Sequence, residues 1–86
     1  MRLKQSSVIH SKKIGDGVVL LEPNKKYIRQ LNQTASFLWN QLSKEKTIDE
    51  LINALKAKFK VNQKQAEKDI ASWVKDYLQQ GFLQKK

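Results

Sequence analysis

The 86-residue sequence predicts an α+β, winged-helix-like domain: a three-stranded antiparallel sheet followed by three helices. Three observations carry this. Runs of strand type lie before Asn32. Three stripes of helical period follow it, each opened by a residue suited to an N-cap. The changeover is sharp, at Leu31-Asn32.

Met1 to Ser7 is polar and reads as a frayed end. Val8-Ile9-His10 begins the first strand, and Lys12-Lys13-Ile14 leads into the turn Gly15-Asp16-Gly17. Asp-Gly between apolar runs signals a hairpin. Val18-Val19-Leu20-Leu21 is continuously apolar and suits a central strand. Glu22-Pro23-Asn24 forms the next turn, because proline has no ladder donor and asparagine tolerates turn conformations. Lys25 to Leu31 is the third strand. Tyr27, Arg29 and Leu31 alternate with Lys26, Ile28 and Gln30, so each set shares one face. Lys25, Lys26 and Arg29 make this strand basic, and charge is how sheet edges resist self-association. It reads as an edge.

Asn32 caps a helix from about Gln33 to Ser43, with Ala35, Leu38, Trp39 and Leu42 on one stripe. Trp39 lies inside that stripe and reads as core. Thr47-Ile48-Asp49-Glu50 fits a capping box, with threonine at the N-cap and glutamate three residues on. The helix it opens carries Ile48, Leu51, Ile52, Leu55 and Phe59. Asn62 caps a third helix carrying Ala66, Ile70, Trp73, Val74, Tyr77 and Leu78, with Gly81 at its C-terminal end. Phe82-Leu83 folds back onto the core, and Gln84-Lys85-Lys86 is a solvated tail. One domain is expected over residues 1–86, ordered from about residue 8 to about residue 83.

Composition narrows the function classes. Hydrophobic residues make up 40%, too many for a disordered chain. There is no cysteine, which excludes disulfides, thiolate metal sites and a cysteine nucleophile. No apolar run approaches the roughly 20 residues that span a bilayer, and no signal-peptide pattern is present. These features predict a cytoplasmic protein with no membrane partner. The net charge is +9, spread along the chain, and favours an acidic partner.

Catalytic patterns are missing. His10 is the one histidine and has no positioned partner in the sequence. Asp49 and Glu50 are explained as first-turn acids of a helix. Glu67, Asp69 and Asp76 interleave with Lys64, Lys68 and Lys75 as helix-surface pairs. The glycines Gly15, Gly17 and Gly81 make no phosphate loop. The sequence therefore predicts no enzyme, no cofactor and no metal site. Trp73 and Tyr77 admit two readings. They sit four residues apart beside the Ile70/Val74/Leu78 stripe, and the wide apolar face serves either as core or as the wall of a groove.

Leu31-Asn32, Ala35, Leu38-Trp39, Thr47-Ile48-Asp49-Glu50-Leu51-Ile52, Asp69-Ile70, Trp73-Val74, Leu78 and Gly81-Phe82-Leu83 follow one another in an order and spacing that resembles the PqqD family. The resemblance runs from about Val8 to Leu83; no single motif in it is specific, but the ordered set is. It implies a non-catalytic module that holds the leader segment of a ribosomal precursor peptide. The module presents that peptide to a modifying enzyme or leader-cleaving protease. By the same resemblance, the leader adds as a strand to the third strand and packs on the third helix. Carried over, the pairing strand is Lys26, Tyr27, Ile28, Arg29, Gln30 and Leu31, and the helix face is Asp69, Trp73, Asp76 and Tyr77. Main-chain bonds then supply affinity and side-chain pockets supply selectivity. Two kinds of short family member are resembled, one in quinone-cofactor maturation and one in lasso-peptide maturation; the second is favoured.

The rival reading is a winged-helix DNA-binding protein. The net charge supports it. Against it, Lys64, Lys68 and Lys75 on the third helix are matched by Glu67, Asp69 and Asp76, and that helix has no arginine to read bases. No specific nucleic-acid partner is expected.

Overall fold

The computed structural model describes residues 1–22 and 27–86. The elements are β1 (Arg2–Gln5), β2 (His10–Ile14), β3 (Gly17–Glu22), β4 (Tyr27–Gln30), α1 (Gln33–Gln41), β5 (Lys46–Thr47), α2 (Ile48–Phe59), α3 (Gln63–Gln79) and β6 (Leu83–Lys85). The fold is α+β and winged-helix-like, with the expected strands β2, β3 and β4 preceding three helices. The Pro23-Asn24 turn and the lysines Lys25 and Lys26 lie outside the described residues.

All three caps form as the sequence dictates. The Ala35 N–H donates to Asn32 Oδ1 at 2.8 Å, and the Gln65 N–H donates to Asn62 Oδ1 at 2.8 Å. At α2 the box is reciprocal: the Glu50 N–H donates to Thr47 Oγ1 (3.1 Å) and the Thr47 N–H to Glu50 Oε1 (2.8 Å). These bonds satisfy donors that a helix N-terminus otherwise leaves open. That backbone bond holds the Glu50 carboxyl below its usual range. Helix α3 ends at Gly81, whose φ of +80° suits a residue without a Cβ. The Phe82 N–H then reaches back to the Tyr77 carbonyl and the Gly81 N–H to the Leu78 carbonyl, a Schellman closure. That reversal carries Phe82 and Leu83 into the core, where they are 0% and 5% exposed.

Two antiparallel sheets are present where the sequence suggested one. The expected sheet has the order β2-β3-β4. The second has the order β5-β1-β6. Arg2–Gln5 is therefore a central strand and not a frayed end. Leu3 is 0% exposed and pairs with Lys46 on one side and Lys85 on the other. The Gln5 N–H also donates to the Leu42 carbonyl, and the Ser6 N–H to the Phe82 carbonyl. Residues 84–85 likewise belong to a strand and not to a solvated tail. The reason these strands escape sequence reading is physical. Leu3 is the one buried apolar residue in the polar stretch 1–7, too little to show a period, and both of its strand partners are distant in sequence.

The β2–β3 hairpin forms at the expected turn. Ile14 pairs with Gly17, so the two-residue loop within that turn is Gly15-Asp16. Gly15 has φ +61° while Asp16 is not left-handed, the pattern of a loop with glycine at its first position.

The core gathers Leu3, Val18, Leu20, Leu31, Leu38, Trp39, Leu42, Leu51, Leu55, Ile70, Val74 and Phe82 between the sheets and the helices. Trp39 is 1% exposed, as its stripe predicts.

Candidate peptide-docking groove

Among the described residues, strand β4 pairs only with β3. Val19, Leu20, Leu21 and Glu22 of β3 face Gln30, Arg29, Ile28 and Tyr27 in register. Among the described residues no strand lies along its other edge, so a row of main-chain donors and acceptors remains open there. The expectation of an edge strand at this place is met.

Helix α3 runs beside that edge. Asp69, Trp73, Asp76 and Tyr77 come from one side of the helix, at i, i+4, i+7 and i+8. Together with Arg29 of β4 they line a groove of ≈ 580 Å³. The far wall is the start of α1, with Asn32, Thr34, Ala35 and Leu38. Ser72 completes the α3 side. Sequence reasoning missed the α1 wall. Its one available signal was connectivity, since a helix that starts directly after an edge strand must lie at that strand's end.

Arg29 ties the two sides together. Its Nη2 is 3.6 Å from Asp76 Oδ2, with both side chains partly exposed. Such a pair contributes about 0–1 kcal/mol and acts chiefly to orient the groups. The same guanidinium stands 5.5 Å from the Tyr77 ring centre and 5.3 Å from that of Phe82. Trp73 stacks on Tyr77 with centroids 4.2 Å apart and planes 30° apart, and Tyr77 meets Phe82 edge-on at 5.3 Å. The result is a continuous aromatic ladder from groove to core, with one cation resting on it.

The structure separates the two residues that the sequence left ambiguous. Tyr77 is 3% exposed and is core, forming the floor of the groove. Burial pushes its hydroxyl above the ordinary tyrosine range, with the Arg29 charge offsetting part of the rise. Trp73 is half-buried and forms the wall. Its Nε1 is enclosed without a hydrogen-bond partner. Leu31 is 5% exposed, so its side chain belongs to the core and not to the groove, although its N–H still pairs with the Val18 carbonyl. Gln30 is exposed at the end of β4. Lys26 lies outside the described residues, and Tyr27 and Ile28 are placed by their backbone pairing alone. Among the described residues no cluster of histidines or carboxylates could hold a metal, and no helix is long and apolar enough to cross a membrane.

These features define a class: a winged-helix-like α+β domain with an unpaired strand edge beside an aromatic helix groove. The chain belongs to the PqqD family, whose model for coenzyme PQQ synthesis protein D matches residues 17–83. No curated protein matches it. Among solved structures it is similar to TbiB1 in complex with the TbiA(beta) leader peptide, at 25% identity over 96% of each chain and a TM-score of 0.86. It shares its fold with lasso peptide synthetase B1 complexed with the leader peptide, at 24% identity over 96% of this chain and 98% of that one, TM-score 0.82.

Proposed function

We propose that this chain is a non-catalytic module that holds the leader segment of a ribosomal precursor peptide and presents it to a modifying enzyme or leader-cleaving protease. The leader adds as a strand to the open edge of β4 and sets alternate side chains into the groove against α3. The observation that carries this reading is the adjacency of the two features. An unpaired edge supplies main-chain bonds, and a groove directly beside it supplies pockets for side chains. Family membership and the leader-bound proteins that share the fold support it. Among pathways the lasso-peptide type is favoured, because one of the leader-bound structures that share the fold is a lasso peptide synthetase B1. The module works in the cytoplasm, as one domain and without a cofactor.

Titrating the labelled chain with its leader peptide by NMR tests the reading. Amide shifts are expected at residues 27–31 and along Asp69–Gln80. Shifts gathered on α2, around Leu51 to Phe59, with β4 silent, would sink it. Trp73→Ala should weaken binding by about 1–3 kcal/mol, as loss of an aromatic anchor does. Trp73 is the better probe than Tyr77, since truncating a buried floor residue also unsettles the fold.

A further inference from the structure

On β2 and β3 the outer face of the β2-β3-β4 sheet carries a surface away from the β4 edge and the groove. Register fixes its members. Ser11 and Lys13 pair with Leu20 and Val18, which are buried, so that side is the core face. His10, Lys12 and Ile14 pair with Leu21, Val19 and Gly17 on the opposite face, and Gln30 joins them beside Val19. Ile14 is 60% exposed and Leu21 38%, and every residue of β2 is exposed. Branched aliphatic side chains thus stand in water next to Lys12 and His10, and none of the residues named on this face is a carboxylate. A lone exposed aliphatic needs no explanation, but an aliphatic stripe on one sheet face beside a lysine marks an interaction surface.

We propose that this face docks an acidic-rimmed protein surface, that of the enzyme acting on the bound leader. The proposal rests on the leader-holding reading. A presenting module must grip its enzyme somewhere the leader does not occupy. Arg29 pairs with Leu20 and so belongs to the core face, which puts the groove on the other side of the sheet from Ile14 and Leu21. Charge selects the occupant. A second copy would set Lys12 against its own likeness on a chain of net charge +9. Nucleic acid would place phosphates over Ile14 and Leu21 and bury neither against anything apolar. A protein patch with an apolar centre and a carboxylate rim satisfies both the aliphatic stripe and the lysine.

The test uses the purified chain, its leader peptide, and the purified enzyme encoded with the precursor. Ile14→Asp and Lys12→Glu sit on exposed strand positions, and circular dichroism confirms that each variant folds. Ile14→Asp should raise the dissociation constant for the enzyme about tenfold or more, as loss of a buried aliphatic contact does. Lys12→Glu should slow association, with the difference shrinking as salt rises. Leader affinity of both variants should stay within about twofold of wild type, because strand addition uses main-chain groups on β4. Failure of the enzyme to bind the wild-type chain, or enzyme binding indifferent to both changes, overturns the proposal. Self-association of the chain that Ile14→Asp abolishes would assign the face to a second copy. Duplex binding at physiological salt that Lys12→Glu abolishes would assign it to nucleic acid. If the wild type binds the enzyme through Ile14 but binds no leader, the leader reading falls and the docking face stands.

Discussion

Ser36 is 2% exposed, and its hydroxyl works in two directions. It accepts the Val18 N–H at 3.1 Å and donates to the Leu31 carbonyl at 3.4 Å. The first turn of α1 is thereby stitched to β3 and to the residue that ends the edge strand. Ser36→Ala keeps the volume nearly unchanged but strands a buried donor and acceptor. It should cost about 1–3 kcal/mol, read as a lower midpoint in urea unfolding. An unchanged midpoint would mean that water replaces the hydroxyl and that the contact is open. Tyr77 gives a second residue-scale expectation. Its hydroxyl is favoured neutral in the fold, so the folded pKa lies above the unfolded value of about 10. Its contribution is therefore complete below about pH 10 and falls away as pH rises through the folded pKa, because the unfolded chain loses the proton first. Melting temperatures from neutral to strongly alkaline pH should decline less steeply for Tyr77→Phe than for wild type. Parallel curves would show that the hydroxyl is solvated.

At the scale of elements, β1 decides more than its polar sequence suggests. It is the middle strand of its sheet and joins the chain's two ends to the α1 C-terminus. Leu3→Ala should destabilise by about 2–5 kcal/mol, the usual range for a buried leucine, and thermal melts would show it. A loss under about 0.5 kcal/mol, the size of an ordinary surface change, would return residues 1–5 to the status of a frayed end. The contrast with the helices explains what the sequence made legible. Each helix declares itself locally, by a cap at Asn32, Thr47 or Asn62 and a stripe at helical period. On the groove side of α3 the wide apolar face of Trp73 and Tyr77 was legible for the same reason, whereas Asp69 and Asp76 read by themselves as surface pairs and were placed there by the family resemblance. The second sheet was not, because β5 and β6 have two and three residues and their pairing is wholly non-local. The α1 wall of the groove was hidden likewise, as Thr34 and Ala35 acquire a role only from where β4 leaves the chain.

Across the whole molecule, global charge and local charge disagree. The chain carries +9, yet among the described residues the groove presents Asp69 and Asp76 against a single Arg29. Helix α3, the element that a DNA-binding winged helix would place in the major groove, balances Lys64, Lys68 and Lys75 with Glu67, Asp69 and Asp76. Long-range attraction for polyanions and the character of the site are therefore separable by salt. Binding to duplex DNA should arise from the general field and show no sequence preference. Between about 50 and about 200 mM salt it should fall steeply, as counterion release requires. Binding of the leader should fall far less over the same range, because main-chain pairing and burial against Trp73 are not screened. Fluorescence anisotropy with two unrelated duplexes and with the labelled leader, at both salt concentrations, measures all three. A sub-micromolar affinity for one duplex that persists at the higher salt and is absent for the other would mean that the net charge, and not the groove, identifies the partner.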